Sequence, residues 1–151
     1  MTEIRIEPAR TVHVGPVANK LSAEEDARTR RMGLRPRAAL RRLLANSPYR
    51  RVILADGEPV AIWGVAGSLL APEAELWLVA TPAARRIGRR LARLVRPEIN
   101  DLANRHPRLH VTMAAEDAAA LRFARFAGAH PVGAHTVGAV ALVDGLIERE
   151  G

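Results

Sequence analysis

The chain has 151 residues, 48% of them hydrophobic and 26% charged, which is the length of one domain with enough apolar material for a packed core and excludes a disordered tail. It contains no cysteine, so disulfides, thiol nucleophiles and thiolate zinc sites are excluded together. Its formal net charge is +7 and every basic residue except Lys20 is an arginine, a side chain whose flat fork of donors suits phosphates and carboxylates, although a GC-rich genome also enriches Arg and Ala.

The first residues carry acids and a proline with no apolar run behind them, so no secretion signal is expected. The longest apolar stretch, Val60 to Ala71, is interrupted by glycines and falls short of the roughly 18 residues of a membrane span. The arginines gather in two clusters, Arg28, Arg30, Arg31, Arg35, Arg37, Arg41 and Arg42, then Arg85, Arg86, Arg89, Arg90, Arg93 and Arg96. Such clusters attract anions, among them CoA phosphates, nucleic acid or an acidic partner. Read as solvated helix faces they add little to stability, so replacing Arg28, Arg31 and Arg35 together by Glu is expected to leave the melting temperature nearly unchanged. Aromatic residues make up only 3%, which argues against single-strand binding on stacking platforms and leaves duplex backbone binding open.

Along the chain, alternation at Ile4 and Ile6 and again at Val12 and Val14 predicts one or two short strands. Ser22 with Glu25 three residues on is a capping box, predicting a helix from Ala23 to Met32 that ends at Gly33. Pro36 opens a second helix, Arg37 to Ala45, with Leu40, Leu43 and Leu44 on one face. Arg51 to Ala55, the turn Asp56-Gly57 and Pro59 to Val65 predict a hairpin, and Leu76 to Thr81 a third strand of the same meander. From Ala83 the period turns helical, with Ile87, Leu91, Leu94, Val95, Ile99 and Leu102 on one stripe, and Pro97 is expected to kink or break this longest helix. A strand over Leu109 to Met113, a helix over Asp117 to Ala127 ended by Gly128, and one or two strands within Val132 to Val143 complete the pattern. Trp63 and Trp77 are expected in the core of the meander.

This order resembles that of the GNAT acetyltransferase superfamily. The resemblance implies a single α+β domain over residues 1–151, with a central mixed twisted sheet of about six or seven strands flanked by about four helices. The strand, helix and strand from Leu76 to Met113 are then expected to form a right-handed parallel crossover, with the start of the long helix beside the end of its strand, where an anion could bind.

Three segments carry a narrower resemblance. The strand from Glu75 to Thr81, the run from His106 to His110 and the helix from Asp117 to Gly128 look like those of small phage proteins related to the internal virion proteins of short-tailed coliphages. In that family's W-L-V-A-T strand the tryptophan is Trp77 here. The tyrosine of its Y-P-x-L segment becomes His106, the helix's Asn becomes Asp117, its Arg-Trp pair becomes Arg122-Phe123, and its final Gly-Phe becomes Gly128-Ala129.

In working GNAT enzymes the turn R/Q-x-x-G-x-G/A holds the CoA pyrophosphate on its amides. Arg85 and Gly88 match it, but Arg90 stands where a tiny residue is needed for the backbone to approach the phosphates. The tyrosine that protonates the departing thiolate in many members falls at Ala124, and the chain's one tyrosine, Tyr49, lies between the second helix and the meander. Glu73 or Glu75 could serve as a general base, although carboxylates at the head of a strand are more often solvated. His106 and His110 are separated by Pro107 and share no helical face, so no metal site is expected. His13, His130 and His135 look isolated, and Gly64 to Ser68 is not a nucleophile elbow.

The resemblance therefore implies a non-catalytic protein with a degenerate GNAT fold, a phage virion or virion-assembly component using no cofactor. It would reside in the virion or the host cytoplasm, self-associate or bind other virion proteins, and contact nucleic acid through Arg28–Arg42 and Arg85–Arg96. Millimolar acetyl-CoA is then expected to leave its melting temperature unchanged. The alternative is an acetyl-CoA-dependent N-acetyltransferase with an unusual CoA turn, for which the resemblance implies cofactor contacts at Val79, Thr81, Arg85, Gly88 and Arg89.

Overall fold

The computed structural model describes residues 2–67 and 71–148; Ser68, which belongs to the stretch read against a nucleophile elbow, lies outside them. Strand β1 (Ile4–Pro8) leads through a 3-10 turn into α1 (Val14–Ala18). The second predicted strand is thus a helix. Val14 and Val17, three residues apart, are both buried, and Pro16 lies in the first turn, where its missing N–H leaves no helical bond unmade.

Helix α2 (Ala23–Arg31) starts at Ser22, whose hydroxyl accepts from the Glu25 amide, and α3 (Pro36–Ala45) buries Leu40 and Leu44. The hairpin pairs β2 (Tyr49–Ala55) with β3 (Glu58–Ala66), and its turn at Asp56-Gly57 has both φ angles positive. The third meander strand is β4 (Glu73–Ala80). It feeds α4 (Pro82–Arg86) and α5 (Gly88–Arg105). The predicted long helix is interrupted at Ile87, and α5 continues through Pro97. Packing of Leu91, Val95, Ile99 and Leu102 into the core holds the helix together across the missing hydrogen bond.

Then follow β5 (Arg108–Ala114), α6 (Ala118–Phe126) capped by the Asp117 side chain, β6 (Ala129–Val137) and β7 (Val140–Ile147). The seven strands form one mixed sheet in the order β1-β2-β3-β4-β5-β7-β6. All neighbours are antiparallel except β4 and β5, the parallel pair joined by the expected crossover.

The two sheet faces carry two cores. On the first, Trp63, Leu76 and Leu109 pack against Leu91, Val95 and Ile99 of α5, with Phe123 and Ala127 closing the α6 side. On the second, Val52, Ile62 and Trp77 pack against Val14 and Val17 of α1 and Leu40 and Leu44 of α3. Gly64 makes this second core possible: a Cβ there would stand 2.5 Å from the Tyr49 carbonyl oxygen and 3.1 Å from the Trp77 ring. Trp77 donates its indole N–H to the Ser47 hydroxyl at 2.7 Å, so both tryptophans are core residues, as expected.

Candidate functional site: a split in the sheet and its charged mouth

The parallel pairing of β4 and β5 covers only four residue pairs, from Glu73 with Arg108 to Leu76 with Val111. Beyond them Trp77–Ala80 stays bonded to β3, and Thr112–Ala114 stays bonded to β7. The two inner edges therefore diverge and leave a wedge-shaped opening whose backbone groups have no partner across it. The chain leaves β4 into α4 and α5, and leaves β5 into the start of α6, so two helix starts flank the mouth.

The start of α5 breaks the usual electrostatic rule for helices. A helix N-terminus carries unpaired amides and a partial positive charge, and is normally met by an acid or a capping oxygen. Here the N-cap is Ile87, no side chain caps it, and the first turn contains no acid. It contains Arg89 and Arg90 instead, with Arg86 just before; all three are exposed. A Cβ built on Gly88 meets nothing within 4 Å, so the space beside Gly88 is open. Arg90 is exposed and extends into solvent. Donors and cations without a counter-charge, arranged around open space, fit a phosphate-bearing group.

Arg85 has a different place. It meets Asp117 in a two-pronged pair at 3.1 and 3.0 Å, directly across the mouth, and reaches Glu25 at 3.4 Å. Arg28, 7% exposed, joins the same Asp117 oxygen at 3.2 Å and lies 3.6 Å from Glu116, which Arg31 holds at 2.8 Å. Burial pushes the Asp117 carboxyl up, but the Arg85 hydrogen bonds, the Ala120 amide and the charges of Arg85 and Arg28 outweigh it and hold the carboxyl below its ordinary range. Glu25 moves the other way, because burial outweighs the pull of Arg85 and Arg28. The hydrogen bond to Asp117, more than offsetting desolvation, raises Arg85 further. The first arginine cluster is therefore not a uniformly solvated face. Arg28 is an internal tie between α2 and α6, and the triple Glu substitution would unfold that tie rather than leave stability unchanged.

Of the remaining sequence candidates, Val79 lies on the diverging part of β4, half-buried against the second core. Thr81 is 1% exposed, donates to the Val60 carbonyl at 2.8 Å and caps α4, so its hydroxyl is taken up internally. Ala124, in the place of the tyrosine acid, is buried. Tyr49 lies on β2, far from the mouth in the sheet order, and donates to Glu98 of α5; burial first and this bond second push its phenol up to about 12. Glu73 is at the closed end of the split, paired with Arg108 at 3.0 Å, and Glu75 faces His110 one pair before the strands part. His106 is fully buried and holds the Ala71 carbonyl at 2.8 Å through Nδ1. Among the described residues no group of side chains has the arrangement of a metal site, and no helix is long and apolar enough to cross a membrane.

One pair escaped the sequence reading. His135 is not isolated: its Nδ1 lies 2.8 Å from Oδ2 of Asp144, whose Oδ1 accepts from the Thr112 hydroxyl at 3.2 Å. The signal was available, since a tight β6–β7 hairpin centred on Gly138 puts residues 135 and 144 diagonally opposite on one face.

No family model matches the chain, and no curated protein matches it by sequence. Solved structures match its fold. The ribosomal-protein-S18-alanine N-acetyltransferase of Escherichia coli superposes with a TM-score of 0.67 at 18% identity, covering 99% of this chain and 97% of that one. Ard1 of Thermoplasma volcanium gives 0.71 at 14% identity, over 98% and 99%. An aminoglycoside acetyltransferase in complex with coenzyme A gives 0.67 at 16% identity, over 97% and 95%. The chain thus has the mixed α+β fold of the GNAT acetyltransferases. That these neighbours are acetyltransferases overturns the expectation of a non-catalytic virion or virion-assembly protein.

Proposed function

We propose that the chain is an acetyl-CoA-dependent N-acetyltransferase with an unusual cofactor turn. The observation that carries this reading is the uncapped, acid-free start of α5, set with exposed arginines one short helix after a strand that parts from its parallel neighbour. The expectation of no cofactor is corrected with it, since the residues present fit a phosphate-bearing one. The amides of Gly88 and Arg89 would hold the pyrophosphate, with Arg86 and Arg90 as counter-charges, and the unpaired edge of β4 at Val79 would hold the arm that enters the split. Arg85 would meet the phosphates only by giving up Asp117, and Thr81 serves the α4 cap rather than the cofactor. When bound, acetyl-CoA supplies a reactive acyl thioester. The chain's own part is to bind it, orient it in the split and manage protons there. Ala124, which the resemblance sets where many members have a tyrosine acid, has no proton to give, so this chain would not supply an acid from that position. Titration calorimetry with coenzyme A tests the reading: binding that weakens at least tenfold when Arg89 and Arg90 are both replaced by Glu supports it, and no binding at millimolar coenzyme A rejects it.

A further inference from the structure

The sheet face opposite α5 and α6 holds three histidines on the strands beyond the split, and each faces a carboxylate. His110 lies 4.0 Å from Glu73, His130 3.9 Å from Glu148 and His135 2.8 Å from Asp144. Only the last is at hydrogen-bond distance. It also has a distinct position. Thr112 is the first residue of β5 after the last β4 partner, Asp144 is its direct cross-strand neighbour on β7, and His135 follows on β6. The other two pairs lie toward the closed end of the split, Glu73 opposite Arg108 and His130 opposite Leu146.

A carboxylate accepts and cannot donate, so Nδ1 of His135 is the donor in this pair, and in the neutral ring the lone pair is on Nε2. Among the described residues no partner is recorded for Nε2, and the His135 side chain is 47% exposed. We propose that the Thr112–Asp144–His135 chain is the proton-accepting part of the acceptor subsite, in which His135 takes a proton from a primary ammonium and Asp144, fixed by Thr112, holds the imidazole for it. This assignment rests on the acetyltransferase reading. In the step, one N–H bond of the ammonium breaks, its electron pair stays on nitrogen as the lone pair needed for attack, and the proton forms a bond to Nε2. The resulting imidazolium is stabilised by the Asp144 charge and returns its proton to solvent. A net anionic Asp144 also favours a cationic acceptor over a neutral or acidic one. Asp144 is the charged group in contact with His135; farther off lie His110 and Glu73 on β5 and β4, His130 and Glu148 along the hairpin, and Arg31 and Glu116 near the hairpin's turn, where Ala139 donates to the Arg31 carbonyl.

The test measures thiol release from acetyl-CoA with spermidine and with an alanine-initiated peptide as acceptors, over pH 5.5 to 9. Coenzyme A binding is followed separately by calorimetry, and the His135 ring by NMR in the free protein. The expected result is that His135→Gln lowers kcat/KM about 100-fold and removes the acidic limb of its pH profile. Free imidazole restores part of the rate to His135→Ala, and Asp144→Asn shifts the His135 Nδ1–H resonance and lowers kcat/KM. Coenzyme A affinity and melting temperature change little in these variants, and His130→Gln behaves as wild type. If coenzyme A binds but neither amine is turned over, or His135→Gln keeps the wild-type rate and profile, the proton role is wrong while the fold's cofactor reading stands. If coenzyme A does not bind at all, both fall.

Discussion

Asp117 concentrates the residue-scale physics of this protein. It caps α6 through the Ala120 amide and takes Arg85 and Arg28 at the same time. Its carboxyl is held below the ordinary 3.8, so the stabilisation it gives is complete above that value and is lost as pH falls through the folded value. Asp117→Asn is therefore expected to destabilise by about 1–3 kcal/mol at pH 7, because Arg28 is left buried beside a neutral amide, and by progressively less as pH falls below 3.8. Urea unfolding of both proteins at neutral pH and in acid below that value measures this; an equal difference at both would mean the charge does not matter. Tyr49 gives a cleaner probe, being the chain's one tyrosine. Its phenol is pushed up to about 12 from 10, so the stability it contributes is full below 10 and vanishes as pH rises through about 12. Phenolate absorbance is expected to appear well above pH 10, and a midpoint at 10 would show that Tyr49 is neither buried nor bonded to Glu98 in solution. Gly64→Ala is expected to destabilise by about 1–3 kcal/mol through overpacking against the Tyr49 carbonyl and the Trp77 ring, read from denaturant midpoints.

At the scale of elements, α5 is the helix whose local rules conflict with its stability. Cations at an N-terminus oppose the helix dipole, so replacing Arg89 and Arg90 by Glu is expected to raise the melting temperature of the free protein slightly. The same change is expected to remove coenzyme A binding. Unchanged stability together with unchanged binding would show that these arginines are plain solvated charges. The element pattern also shows where the sequence was legible. The Ser22 N-cap, the Asp56-Gly57 turn, the Pro36 helix start and the shift to helical period after β4 each encode their element locally and each is found, although the Glu25 carboxylate completes no capping box and pairs with Arg85 instead. Val12 and Val14 misled because two residues of alternation also fit one helical turn once Val17 is counted. Pro97 does not break α5 because tertiary burial on both sides outweighs one lost hydrogen bond, while the break at Ile87 has no proline to announce it.

At the scale of the whole molecule, function depends on pairings between distant segments, which single-sequence patterns do not carry. The parallel register of β4 with β5 stops after Leu76, and nothing in either strand's composition marks that point. Arg85 was picked out as a phosphate ligand, yet its bond to Asp117 across 32 positions is invisible until the fold is known. Helix α2 crosses the same mouth, from Glu25 beside Arg85 to Arg31 above the β6–β7 turn, where Gly138 at φ 58 allows the turn to approach the helix end. Ala124, which the resemblance aligns with a tyrosine acid, is legible in the sequence, whereas the uncapped start of α5 proposed to hold a phosphate-bearing group is a matter of backbone amides that no side-chain pattern marks.

Thermal unfolding with acetyl-CoA tests the central claim most directly. A ligand at about 100 times its dissociation constant stabilises the folded state by about 2.7 kcal/mol, which moves the melting temperature of a domain of this size by several degrees. The account predicts such a shift with millimolar acetyl-CoA, and its disappearance when Arg89 and Arg90 are both replaced by Glu. A melting temperature that millimolar acetyl-CoA leaves unmoved would contradict it.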